Sequence, residues 1–148
     1  MLGKNIISLK ELPIFVKQFS SYLRLGDCIL LSGELGAGKT TFVKALLDIF
    51  HFQDVSSPSF SLINQYQTIS YLFFHLDLYR LNDESEFIGI DLDRYLCDTS
   101  AIKLIEWPER LGSFCPLAHI QLSIEYVDEQ CRKFILGVSD TFDASRFS

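Results

Sequence analysis

The chain has 148 residues, a length that suits one domain, here expected over residues 1–148. Its hydrophobic fraction of 48% exceeds what disorder tolerates, and no run approaches the roughly 18–20 consecutive apolar residues of a membrane span. A formal net charge of −6 with scattered basic residues argues against a dedicated DNA or RNA binder, which carries a basic stripe. The start, Met1-Leu2-Gly3-Lys4-Asn5, lacks the apolar stretch of a secretory signal, so the chain reads as cytoplasmic. Cys28, Cys97, Cys115 and Cys131 are too widely and irregularly spaced for a zinc framework, and Cys28 reads as a core residue on a strand.

Residues 12–23 place Leu12, Phe15, Val16, Phe19 and Leu23 on one helical face. The start of this helix has two readings: a capping box formed by Ser8 and Glu11, or a first turn near Leu12 that accommodates Pro13. After the Gly26-Asp27 turn comes a short apolar run, Cys28 to Leu31, typical of an inner strand of a parallel sheet. A second helix is expected from Thr40 to Phe50. Residues 55–59 are a loop by composition, and strands are expected over 60–66 and 70–76. One or two short helices fall within 83–96, and a buried strand runs from Ala101 to Ile105. From His119 to Tyr126 the alternation is strict. Ile120, Leu122, Ile124 and Tyr126 read inward, while His119, Gln121, Ser123 and Glu125 read outward. With residues 132–138 this strand forms an antiparallel hairpin across Asp128-Glu129. The fold class is therefore α/β: a P-loop NTPase-like domain with a mixed, mostly parallel central sheet, flanking helices and a C-terminal antiparallel hairpin.

Between the first inner strand and the second helix lies Gly33-Glu34-Leu35-Gly36-Ala37-Gly38-Lys39-Thr40, followed by Thr41. It matches G-x-x-x-x-G-K-[ST] in full. Glycines let such a loop turn its N–H groups inward as an anion nest, and the following helix points its positive end at phosphate. Lys39 is then the cation for the terminal phosphates, and Thr40 supplies a hydroxyl for Mg²⁺. A nucleoside triphosphate with Mg²⁺ is the expected ligand.

Two carboxylates close strands that would end beside this loop. Asp77 follows Tyr71 to Leu76, as a Walker-B aspartate does, and Glu106 follows Ala101 to Ile105. Both are candidates for Mg²⁺, and Glu106 could instead position the attacking water. Arg80 either steadies phosphate charge or is an exposed salt-bridging residue. His75, between Phe74 and Leu76, reads as a packed strand histidine. Trp107 is core, a lid or a partner contact. Ser59, with Ser57 and Pro58, sits where a switch segment would lie, or is ordinary turn chemistry.

Taken together, the segments Leu31 to Thr41, Ser57-Pro58-Ser59-Phe60, His75-Leu76-Asp77-Leu78-Tyr79-Arg80-Leu81, Glu86 to Ile90 and Ile105-Glu106-Trp107-Pro108 resemble the TsaE (YjeE) family of bacterial threonylcarbamoyladenosine tRNA modification. The resemblance covers about residues 8–136 and rests most on Asp-Leu-Tyr-Arg together with Glu-Trp-Pro. It implies a weak, partner-dependent ATPase that acts with TsaB and TsaD and meets tRNA indirectly. By motif, Thr40 and Glu106 look like Mg²⁺ ligands and Asp77 the Walker-B acid. The resemblance also brings Ser8 and Arg132 near the nucleotide and puts Ser59 where the family usually has threonine. His75-Leu76-Asp77 departs from the family's His-Phe-Asp by one apolar exchange. A small-molecule kinase and a nucleotide-gated adaptor without needed hydrolysis are the alternatives on the same loop. A GTPase is disfavoured because no N-K-x-D motif is present.

Overall fold

The computed structural model describes residues 2–56, 58 and 62–147. Seven strands form one sheet: β1 (Gly3–Ser8), β2 (Cys28–Ser32), β3 (Ile63–Gln67), β4 (Leu72–Asp77), β5 (Ile102–Glu106), β6 (Ile120–Tyr126) and β7 (Cys131–Val138). Their order is β1-β7-β6-β2-β5-β4-β3. The central four, β6, β2, β5 and β4, run parallel. The edges are antiparallel: β3 on β4 at one side, and β7 then β1 beyond β6 at the other. This is the mixed α/β sheet expected, with the hairpin β6–β7 in place and Asp128 Oδ1 accepting the Gln130 and Cys131 N–H groups at its turn (both 2.8 Å).

Each face of the sheet is covered by its own layer. Helices α1 (Leu12–Ser20) and α2 (Lys39–Ile49) pack on the face formed by Ile29, Leu31, Phe73, Ile102, Leu104, Ile120, Leu122 and Ile124. Phe15, Phe19, Phe42 and Phe134 meet there as a group of tilted and edge-on rings. The short helices α3 (Ser85–Ile88) and α4 (Leu92–Leu96), with a 3-10 segment at Pro108–Phe114, cover the opposite face over Leu30, Phe74, Leu76 and Ile105. Alternation along the strands decides which layer each side chain joins.

Several elements differ from expectation for local reasons. Residues 3–8 form an edge strand paired with β7, where no element was expected. The capping box is not formed: Glu11 is the residue before the helix, and its carboxylate accepts the Ser8 N–H (2.9 Å) and hydroxyl (2.6 Å) within the turn. Pro13 sits in the first helical turn, where a missing N–H costs nothing. The helix stops at Ser20 rather than running to residue 23. The Ser20 and Ser21 hydroxyls bond back to the Lys17 and Gln18 carbonyls, which competes with helix continuation. His119 is buried rather than outward-facing, its ring held by the Pro116 carbonyl (2.6 Å) and the Gln121 amide (2.9 Å). Tyr126, expected inward, is 59% exposed, because β6 there has run past the end of β2. Of the expected switch residues, Ser57 and Ser59 lie outside the described residues, as does the start of the strand expected from 60. Pro58 is described and buried.

Candidate nucleotide site at the phosphate loop

The loop between β2 and α2 turns in left-handed conformations that fix two of its glycines. Gly33 has φ 147°, and a Cβ there would lie 2.3 Å from the Ile124 carbonyl oxygen of β6. Gly38, at φ 110°, is the residue that opens α2. Any other residue would be strained at either position. The loop thus hugs the parallel sheet edge while α2 aims its first N–H groups along it.

Two strand-end carboxylates and a histidine face this loop from the same side of the sheet. Asp77 and Glu106 are direct register partners in the parallel β4–β5 pair, so their side chains share a face. His75, two residues before Asp77, shares it too. That face is the one α2 covers, so the first turn of α2 lies against these groups. Thr40 Oγ1 is 3.1 and 3.2 Å from the two carboxylate oxygens of Glu106. His75 Nε2 is 2.8 Å from Glu106 Oε1. Glu106 is only 2% exposed. Asp77 accepts the Tyr79 N–H at 3.1 Å and lines the same cleft.

Lys39 is buried and folds back on its own loop, donating to the Gly33 (2.5 Å) and Glu34 (3.0 Å) carbonyls. Trp107 leaves β5 at φ 60°, an uncommon conformation for a bulky residue, and lays its indole over the Lys39 ammonium at 4.0 Å. The indole also meets the Tyr79 ring at 4.9 Å. Burial lowers the Lys39 pKa, while Glu106, Glu109 and Asp77 act against that shift. The cleft bounded by Leu35, Gly36, Gly38, Lys39, Thr40 and Thr41 on one side and Asp77, Tyr79, Glu106 and Trp107 on the other measures about 280 Å³.

A second hollow adjoins the loop. Ser8 and Arg132 line it with Gly36, Gly38 and Thr41. Strand pairing brings the two together, because Ser8 at the end of β1 lies opposite Cys131. Arg132 holds the loop directly: its Nε donates to the Ala37 carbonyl (2.9 Å), and its guanidinium stacks 4.7 Å from the Tyr126 ring. Arg80 is exposed and does not line the cleft. The residue the sequence reading undervalued is His75. Its spacing of two from Asp77 was the available signal.

The family profile described as threonylcarbamoyl adenosine biosynthesis protein TsaE matches residues 6–134. The chain belongs to the TsaE family. Among relatives, the tRNA threonylcarbamoyladenosine biosynthesis protein TsaE of Haemophilus influenzae is 41% identical over 104 residues, 68% of this chain and 64% of that protein, so the match spans just under two thirds of that relative. The protein of the same description from Rickettsia bellii is 32% identical over 136 residues, 89% of this chain and 93% of its own. The crystal structure of Bacillus subtilis YdiB superposes with a TM-score of 0.74, covering 93% of this chain and 84% of that one at 24% identity, which shows the shared fold. The TsaE profile spans the phosphate loop, both strand-end acids and Arg132, so the site described above lies within the family's own segment.

Proposed function

We propose that this chain is the ATP-binding and weakly ATP-hydrolysing subunit that supports repeated turnover of a TsaB–TsaD pair, which forms threonylcarbamoyladenosine next to the anticodon of tRNA. The observation that carries the nucleotide part is the Thr40–Glu106 contact beneath the phosphate loop. It joins the hydroxyl of a P-loop threonine to a buried carboxylate whose register partner is a second carboxylate, Asp77. Among the described residues no three His, Cys, Asp or Glu cluster to hold a metal alone. A hydroxyl with one or two carboxylates suits Mg²⁺, which completes its shell with water and substrate phosphate. Thr40, Glu106 and Asp77 would hold that ion, which when bound neutralises phosphate charge.

The remaining steps belong to the chain itself. The loop N–H groups and the start of α2 receive the phosphates. Lys39 exchanges its two loop carbonyls for phosphate oxygens and leaves the Trp107 face. Ser8 and Arg132, beside the second hollow, bound the rest of the nucleotide. Glu106 either holds the metal or orients the attacking water.

Partner dependence is supported by the cleft's rim, where Leu35 is 73% and Tyr79 45% exposed beside Trp107. A partner seated on those side chains would exclude water and complete the site. The net charge of −6 supports indirect contact with tRNA. That role implies a cytoplasmic protein.

The test is tRNA modification by purified TsaB and TsaD over many turnovers, with and without this protein and ATP. Modification that passes one round only when both are present is the expected result, and Glu106→Ala should then return it to one round. Unchanged modification in the protein's presence would leave only a nucleotide binder.

A further inference from the structure

We propose that His75 is a positioning residue that orients Glu106 for the Mg²⁺-bound nucleotide; this rests on the ATP–Mg²⁺ reading above. His75 is fully buried and lies in the middle of β4, flanked in register by Asn64 of β3 and Leu104 of β5. On the face it shares with Phe73 and Leu104, the neighbouring inner strands β5 and β2 carry apolar side chains short of the acidic end: Ile102, Leu104, Ile29 and Leu31. An apolar residue would satisfy that packing without any hydrogen-bond requirement. The imidazole instead makes a polar contact, Nε2 to Glu106 Oε1 at 2.8 Å. An ionised carboxylate only accepts, so Nε2 carries the proton and donates. Its Nδ1 is buried and has no hydrogen-bond partner among the described residues. A buried ring nitrogen of this kind works against stability, so the Glu106 bond is what the histidine contributes at this position.

The geometry gives that bond a specific consequence. Glu106 has two oxygens and, among the described contacts, two donors: His75 on Oε1, and Thr40 Oγ1 shared between both oxygens. Thr40 is the residue whose hydroxyl must turn toward metal when the nucleotide binds. Once it does, the His75 N–H is the donor that still fixes the rotation of the carboxylate. A carboxylate on a flexible stem, freed of that donor, would spread over several rotamers and present its oxygens to the ion less often. Hydrogen-bond partners that orient metal-ligating side chains are commonly worth ten- to a hundredfold in metal affinity or activity.

The experiment measures the affinity of a fluorescent ADP analogue in Mg²⁺ and in EDTA, for the intact chain and for His75→Leu, His75→Gln and His75→Asn, with thermal melts to confirm folding. Gln places an amide N–H near the position of Nε2, whereas Asn falls short of it. His75→Leu is expected to lose about tenfold in affinity with Mg²⁺ and less than about twofold in EDTA, and His75→Gln to recover most of the loss. If His75→Leu fails to fold, the comparison of Gln with Asn decides, with Gln expected to be the more Mg²⁺-responsive. Equal losses with and without Mg²⁺ would reduce His75 to a packing residue, and equal Gln and Asn proteins would overturn the proposal in the same way. Unaltered protein that binds the analogue equally well in Mg²⁺ and EDTA also overturns it, while leaving nucleotide binding intact. Unaltered protein that binds no nucleotide overturns the functional reading along with it.

Discussion

Lys39 and Lys103 stand at opposite ends of the β2–β5 pair, both buried, with 5% and 2% of their surface exposed. Burial lowers the pKa of both. Among the described residues neither ammonium makes an ion pair with a carboxylate, and both donate to main-chain carbonyls instead. Lys103 spends three N–H bonds on Gly26, Asp98 and Ala101, clamping the turns at the start of the sheet. Lys39 spends two, on Gly33 and Glu34, and turns the rest of its charge to the face of Trp107. Three acids also lie in its field, Glu106, Glu109 and Asp77, and it borders an open cleft. The difference teaches that burial of a lysine marks nothing by itself. A saturated ammonium is structural, whereas one held by exchangeable contacts beside carboxylates and open space is ready for a ligand.

The largest expected effect tests the Lys39 side of this contrast. Lys39→Ala should weaken nucleotide binding and ATP turnover by about 100-fold or more, because the charge that meets the terminal phosphates is gone. Its melting temperature should stay close to that of the unaltered chain. Titration with a fluorescent nucleotide beside a thermal melt measures both, and normal binding would make Lys39 a clamp like Lys103.

Lys103→Met should show the reverse pattern. Removing the ammonium from the carbonyls of Gly26, Asp98 and Ala101, of which Ala101 keeps the Gly26 N–H, should lower the unfolding free energy by about 2–3 kcal/mol in urea titration. Nucleotide affinity should hardly change. A large loss of affinity with stability intact would erase the contrast.

Cys28 pairs in register with Lys103 and adds a pH test at the same end of the sheet. Burial pushes its thiol up from 9.0 to about 12. The native state therefore keeps a proton that the unfolded chain releases, so this contribution is intact below pH 9.0 and is lost as pH rises toward about 12. The loss reaches about 1.4 kcal/mol per pH unit. Lys103 has the opposite sign: its lowered pKa means the unfolded chain holds the extra proton, so its contribution grows as pH rises toward 10.5. Urea titrations across this range should show a shallower alkaline decline for Cys28→Ala than for the unaltered chain, and a steeper one for Lys103→Met.

The smallest effect is spectroscopic. Trp107 is the sole tryptophan, and its ring lies 4.0 Å from the Lys39 ammonium. ATP with Mg²⁺ should draw that ammonium away and change the emission, a cation–π contact of this kind being worth about 0.5–2 kcal/mol. Lys39→Ala should start from the altered emission and respond little. A silent tryptophan in the unaltered chain would mean that Lys39 stays where it is when nucleotide binds.

Much of the architecture was legible because local pattern and tertiary environment agree. The run from Cys28 to Leu31 is apolar throughout, and β2 is an inner strand with helices on both faces. Ile120, Leu122 and Ile124 alternate because only one side of β6 faces the aromatic layer. β1 left no such trace: it lies at the sheet's edge with Lys4, Asn5 and Ile6 exposed, so nothing in its composition had to become periodic. Its existence depends on the register it finds along β7, a contact with residues more than a hundred positions away.

The sequence by itself determined the phosphate loop, since its chemistry is local: glycines for left-handed turns, then a lysine and a hydroxyl at the start of a helix. It also determined that Asp77 and Glu106 end strands. Only the tertiary structure decided that those strands are neighbours in register, and hence that both acids share the face α2 covers. The same pairing put His75 against Glu106. The left-handed exit from β5 brought Trp107 over Lys39. These contacts depend on strand order and crossover geometry, which no local pattern encodes. A histidine two residues before an aspartate looks the same in sequence whether its neighbour across the sheet is a leucine or a buried glutamate.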